Sequence, residues 1–133
     1  MGIQILTGSI SEHSTLWVAN AFSPSMLEGT RKLTFKLLPN EGAARELLVE
    51  LCVGGDFAPV SAVGHADTAG LFSNLLGVQV PPNRISLSMG RWDVLLVGQY
   101  NGPRLPEGST KLPEGATIRW WLVFPTGDYP QLT

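Results

Sequence analysis

The sequence has little charge, little histidine and almost no cysteine. Of its 133 residues, 15% are charged, two are histidines and one, Cys52, is a cysteine. A single cysteine cannot form an internal disulfide, so nothing requires an oxidising compartment. Histidine and cysteine also lack the paired spacings of metal sites, so we predict no metal and no cofactor.

No segment has the basic start of a signal peptide, and no apolar run approaches the roughly 20 residues that cross a bilayer. We expect a soluble, cytoplasmic chain without membrane contact.

The sequence also lacks a concentrated basic surface. Its net charge is −2, and the nearest approach to a basic cluster is Arg31, Lys32 and Lys36. Proteins that bind nucleic acid neutralise phosphates with dense positive charge, so we predict no direct nucleic-acid binding. An average soluble domain is about 25% charged. With so few charges, either uncharged polar residues cover the surface or part of it is buried against other chains.

Recognisable catalytic motifs are missing as well. The sequence has no nucleophile elbow, phosphate-binding loop or dinucleotide fingerprint. His65 and Asp67 could form a weak metal or catalytic pair, but the start of a helix explains an acidic residue there equally well. His13 lies in a polar turn, and Cys52 has no basic neighbour that would lower its pKa. We predict that the protein is not an enzyme.

Alternation of apolar and polar residues is the dominant pattern that is present, and it is typical of half-buried strands. Glycine (15) and proline (10) punctuate the alternating runs. An apolar stripe of Leu71, Phe72, Leu75 and Leu76, followed by Gly77, predicts one short helix over His65–Leu76. The predicted strands cover residues 3–10, 15–22, 32–37, 46–53, 59–63, 84–89, 92–99 and 117–124. Together these elements predict an all-β fold over residues 1–133, a single antiparallel β-sandwich, jelly-roll-like, with one short helix.

Two adjacent tryptophans, Trp120 and Trp121, must point to opposite faces of the last strand. We expect Trp120 to enter the core. Trp121 then lies on the other face beside Arg119, where it is buried within the monomer, placed at a protein interface or available as a stacking platform for a ligand. The candidate ligand or interface residues are Trp121, Trp92, Trp17, Tyr100 and Arg119.

The longest irregular segment, residues 101–115, is a further candidate for contacts. It contains Leu-Pro-Glu-Gly twice, at 105–108 and 112–115, which predicts two successive type I turns.

The order of the predicted strands, the helix at His65–Leu76 and the closing run Thr117–Phe124 resemble viral jelly-roll capsid modules, the coat or protruding domains of small RNA viruses. The resemblance implies a capsid protein that is assembled in the host cytoplasm, belongs to the virion and has other capsid subunits as partners. The chain starts directly in a predicted strand without a basic arm, and it has no acidic cluster suited to calcium. These departures favour an arm-less coat, a protruding domain or a decoration protein.

The leading hypothesis is therefore a structural, self-assembling protein that forms a homo-oligomer. Low charge, surplus apolar residues and the lack of catalytic motifs support it. The alternative is a carbohydrate-binding, lectin-like β-sandwich that stacks a glycan on Trp121, Trp92, Trp17 or Tyr100. A cupin-type enzyme would need more histidines than His13 and His65.

Overall fold

The computed structural model describes residues 15–27, 31–53, 58–90 and 92–128. A short 3-10 turn at Pro24–Met26 follows the first strand. The strands and helices, in chain order, are β1 (Thr15–Ala19), β2 (Arg31–Leu37), α1 (Glu41–Val53), β3 (Ala58–Ser61), α2 (Ala66–Leu76), β4 (Val94–Asn101) and β5 (Thr117–Asp128).

These strands form one five-stranded mixed sheet in the order β2-β5-β4-β1-β3. Strand β1 runs parallel to both β3 and β4, whereas β5 is antiparallel to β4 and β2. Strands that run in the same direction need a long crossover, and α2 lies in the connection from β3 to β4, which flank β1 on its two sides. The described residues are thus mostly sheet, as predicted, but the antiparallel sandwich and jelly roll are corrected to one mixed sheet with two helices.

Helix α1 replaces the strand predicted over residues 46–53. Its buried residues are Ala44, Leu47, Leu48 and Leu51, which is the i, i+3, i+4, i+7 spacing of a helix face. Asn40 caps the helix, since its Oδ1 accepts a hydrogen bond from the Ala43 amide at 2.9 Å. The alternation that indicated a strand was misleading because Val49 and Val53 lie on the exposed side of the helix.

The other sequence predictions have mixed outcomes. Helix α2 is confirmed; it ends at Gly77, whose φ of 72° is left-handed backbone. The predicted strand at 84–89 is wrong, because residues 81–88 are irregular and Met89 forms an isolated bridge with Leu27. Strands at 15–22, 32–37, 59–63, 92–99 and 117–124 are confirmed with shifted ends, and residues 3–10 lie outside the described residues.

Both helices pack on one face of the sheet and form the main core with it. Even-numbered side chains of the central strands point to this face, and Trp120 is buried there as predicted. The Trp120 ring contacts Phe72 of α2, with ring centroids 5.0 Å apart. Gly98 lies opposite Trp120 on β4, and a Cβ atom there would come within 2.5 Å of Trp120 and 2.7 Å of Phe72. The missing side chain of Gly98 is what lets both rings lie against the sheet.

Asp93 ties the turn before β4 to the start of β1. One carboxylate oxygen accepts the Thr15 amide at 3.0 Å, and the other accepts the Trp17 indole N–H at 3.1 Å and the Gly90 amide at 2.7 Å. The residue is 9% exposed. A buried carboxylate with three donors is well satisfied, and it aligns the two parallel strands at their shared end.

The two Leu-Pro-Glu-Gly segments form turns, but not of the predicted type. The Ser109 amide donates to Pro106 O and the Ala116 amide donates to Pro113 O. Gly108 and Gly115 occupy the third turn positions with φ of 74° and 82°, which is the signature of a type II turn.

Replacement of Gly98 should destabilise the protein. We expect Gly98→Ala to cost about 1–3 kcal/mol in the free energy of unfolding, because the new methyl group overlaps two buried rings. Gly70→Ala in α2 is the matched control. Its Cβ would meet Ser109 O at 3.7 Å, an ordinary contact, and alanine favours the helix. Urea unfolding of both variants measures the difference, and equal stability of the two would contradict the packing described.

Replacement of Asp93 by its neutral isostere should also destabilise the protein. Asp93→Asn turns an acceptor of three hydrogen bonds into a group that directs an NH₂ toward buried donors. We expect a loss of about 1.5–3 kcal/mol in chemical denaturation. Asp67→Asn is the control, because Asp67 is partly exposed and accepts one amide, that of Gly108. Similar losses in both variants would show that Asp93 is not a special anchor.

Candidate functional site

The described residues cover the sheet face opposite the helices only in part. Odd-numbered side chains of β1, β4 and β5 point to it and form a second core with chain segments from outside the sheet. The covering segments are residues 22–27 and residues 87–89, held together where the Met89 amide donates to Met26 O at 2.7 Å. The buried members of this second core are Ala19, Leu87, Met89, Leu95, Val97 and Val123.

These segments cover β2, at the edge of the sheet, only in part. Phe35 is 47% exposed and Leu37 is 51% exposed. The register places Leu37 opposite Trp121 and Phe35 opposite Val123, so these side chains share one face. We call the surface formed by Phe35, Leu37 and Trp121 the open face.

A groove of about 300 Å³ runs along the open face. Val97 and Val123 are buried residues that line it, and Phe22 and Phe35 form its wall with rings at 88° and centroids 5.1 Å apart. Its remaining lining residues are Gln99 and Trp121. The Trp121 indole N–H donates to Gln99 Oε1 at 2.7 Å. Because these two polar groups satisfy each other, the groove presents an apolar surface of rings held in fixed orientations.

The structure separates the five residues that the sequence singled out. Trp121 and Arg119 share a face of β5, and Arg119 lies opposite Gln99. Trp17 also lies on this face but is partly buried and donates to Asp93. Trp92 is 42% exposed and precedes β4, outside the sheet. Tyr100 points to the helix side, where its hydroxyl donates to Pro103 O.

Phe35 and Leu37 are the site residues that sequence reasoning missed. Their alternation with Lys32, Thr34 and Lys36 predicted that they face the core of a half-buried strand. They are instead half exposed, because neither described helix lies over this face and the covering segments reach β2 only in part, at Leu33 and through the contact of Phe22 with Phe35. Alternation shows that one side of a strand is apolar. Which part of the protein packs against that side is decided by the tertiary structure.

A second cavity, of about 310 Å³, lies on the helix side between α2 and the segment after β4. His65 and Arg104 contribute to its lining. His65 is the cap of α2, since its Nδ1 accepts the Asp67 amide at 3.2 Å, and Asp67 Oδ1 in turn accepts the Gly108 amide. Helix capping and loop anchoring therefore account for the His65 and Asp67 pair. The sequence indicated only that the start of a helix explains the acidic residue.

The Cys52 thiol is not activated as a nucleophile. Burial raises the pKa of the Cys52 thiol, which keeps it protonated and weakly nucleophilic. Among the described residues, no three His, Cys, Asp or Glu side chains come together as a metal site. Within the same part of the chain, no helix is long and apolar enough to span a membrane.

Comparison with known proteins relates the chain to a viral protein. A family model described as STIV B116-like matches residues 16–117. Among solved structures, B116 of Sulfolobus turreted icosahedral virus (STIV) is 27% identical, with a TM-score of 0.67 over 84% of this chain and 99% of B116. No curated protein matches.

The relationship to a viral protein that the resemblance implied is confirmed, but the match is not to the jelly-roll coats of small RNA viruses. The matched segment extends from β1 to the first residue of β5 and includes both helices. The chain belongs to the STIV B116-like family.

Proposed function

We propose that this protein is a virus-encoded structural protein that self-associates, and that the open face is its association surface. The observation that carries the proposal is the exposure of Phe35 and Leu37, at 47% and 51%, beside Trp121 on one continuous face. Aromatic side chains are enriched in the centres of protein interfaces, where they contribute much of the binding energy.

The geometry of the open face favours a protein partner. Its rings are already ordered by the Phe22–Phe35 contact and by the hydrogen bond between Trp121 and Gln99, so little side-chain entropy is lost on binding. The sequence has too few charges to solvate a large apolar surface, at 15% of residues. A second copy of the chain is always present, at the same concentration as the first, and it is the partner that we propose.

The proposal includes a more specific role, that of a capsid protein. The jelly roll no longer supports it, since the described strands form one mixed sheet. What supports it is membership of a family that includes a virus protein, together with an apolar surface suited to assembly. Detection of the protein in gradient-purified virus particles tests this role, and its confinement to infected-cell extract would exclude it.

The alternative of a glycan-binding site has weaker support. Sugars are bound by an aromatic face together with free polar groups at its rim. Here the Trp121 indole N–H and Gln99 Oε1 bind each other. Of the other aromatic candidates for a glycan platform, Trp92, Trp17 and Tyr100, the structure places none in the groove.

Self-association should depend on the open face. We expect the purified protein to have at least twice the mass of one chain in light scattering at micromolar concentration. Leu37→Ser should weaken association by about tenfold or more, equivalent to about 1.4 kcal/mol, because it removes an apolar contact from the interface. Phe35→Ser should act in the same direction, with an added loss of the ring contact to Phe22.

Val53→Ser is the matched control, since Val53 is 78% exposed on α1 and away from the open face. It should leave the mass unchanged. A wild-type protein that stays monomeric at all concentrations would overturn the proposal. Loss of glycan-array binding in Trp121→Ala, with unchanged mass, would instead establish the glycan alternative.

A further inference from the structure

We propose that Asn101 is a modification site, at which the side-chain amide is lost by spontaneous deamidation and the chain acquires aspartate or isoaspartate. The site is the pair Asn101-Gly102, and β4 ends at its first residue. The inference does not depend on the proposed self-association, since neither residue is part of the open face.

The reaction uses the backbone nitrogen of Gly102 as its nucleophile. This nitrogen attacks Cγ of Asn101 and forms a new C–N bond, the bond from Cγ to the side-chain nitrogen breaks, and ammonia leaves with the proton of the Gly102 amide. The product is a five-membered cyclic imide. Water then adds to either imide carbonyl and breaks its bond to the ring nitrogen, which gives aspartate or isoaspartate. Water is consumed and ammonia is released, without an oxidant or a reductant.

The structure leaves the Gly102 amide free to react. The Leu38 amide donates to Trp120 O, so the peptide groups of Trp120 point to β2. Because antiparallel ladders alternate, the peptide groups of Thr117 point to β4, where they bond to Asn101. The Gly102 amide therefore points away from β5, and none of the described residues accepts a hydrogen bond from it. No hydrogen bond has to break before the nitrogen attacks.

Packing requires a glycine at position 102. A Cβ atom there would lie 2.5 Å from Cβ and 3.0 Å from Cα of Ala116, which is buried. Atoms so close to the backbone of a packed residue cannot move aside as the end of a long side chain can. Glycine is also the residue that hinders attack on the preceding side chain least, because it has no Cβ. The reactive pair is thus a consequence of how the hairpin of β4 and β5 is packed.

The other asparagines lack this combination of features. Each of them, Asn20, Asn40, Asn74 and Asn83, precedes a residue with a side chain. The amide groups of Asn40, Asn74 and Asn83 are also held by hydrogen bonds to the backbone. Asn101 is exposed, and within the described part of the chain its side chain makes no hydrogen bond. We therefore expect deamidation to be selective for Asn101.

Isoaspartate would lengthen the backbone at the end of the hairpin. The side-chain methylene becomes part of the main chain, so the peptide groups on either side are displaced from their partners. Asn101 pairs with Thr117, and the Tyr100 hydroxyl donates to Pro103 O across the modified bond. Both contacts depend on the length of this stretch of backbone, so both are weakened by the reaction.

The second cavity changes with the hairpin. Gly102, Pro103 and Arg104 contribute to its lining, and they follow the modified residue directly in the chain. A slow reaction of the chain with water thus alters the shape of this cavity as the protein ages.

Ageing of the purified full-length chain tests the site. The protein is kept in mildly acidic and in alkaline buffer, and peptides with aspartate or isoaspartate are separated and identified by mass spectrometry at intervals. We expect residue 101 to be converted first, mainly to isoaspartate, and faster in alkaline buffer because attack requires loss of the amide proton. Asn101→Gln is the matched control. It retains an amide but would have to form a larger ring, so this position should stay unchanged.

Hydrogen exchange separates the lengthened backbone from the new charge. We expect the Thr117 amide to lose protection in the aged protein. The variant Asn101→Asp carries the same charge on a backbone of normal length, and it should retain the protection.

Three results would contradict the proposal. Conversion of a free peptide of residues 97–106, without conversion of residue 101 in the folded protein, would overturn the site. Equal conversion at Asn20, which is exposed and precedes an alanine, would overturn the selectivity that we derive from Gly102. Conversion at residue 101 with unchanged protection of Thr117 would overturn the effect on the hairpin.

Discussion

The contact of Trp120 and Phe72 over Gly98 fixes the relation between the helices and the sheet. A methyl group at Gly98 would lie within 2.5 Å of one ring and 2.7 Å of the other, so the packing depends on a residue without a side chain. Because side chains alternate along a strand, burial of Trp120 under α2 directs Trp121 to the opposite face. The same alternation, carried across the register of β5 and β2, directs Phe35 and Leu37 to that face too. The open face is thus a consequence of which face the helices cover.

Uneven cover of the two faces connects the fold with the proposed function. Both helices lie on one side, whereas the described segments that cover the middle strands on the other side are residues 22–27 and 87–89. Apolar side chains on a sheet face are buried by packing against another layer, and near β2 the described residues leave Phe35 and Leu37 half exposed. In the proposed self-association, a second copy of the chain would cover these half-exposed side chains.

Local patterns predicted the central strands, α2 and the opposed faces of Trp120 and Trp121, because each follows from side-chain period within a single element. They failed where two periods fit the same residues. Leu47 and Leu51 belong to an alternating run and equally to a helical stripe, and the capping side chain of Asn40 was the signal that favours the helix. The predicted sandwich failed for a different reason: strand direction and order depend on contacts between distant segments, such as β1 with both β3 and β4. The open face was predicted only in part. Trp121 was named as a candidate site residue, whereas Phe35 and Leu37 were assigned to a core.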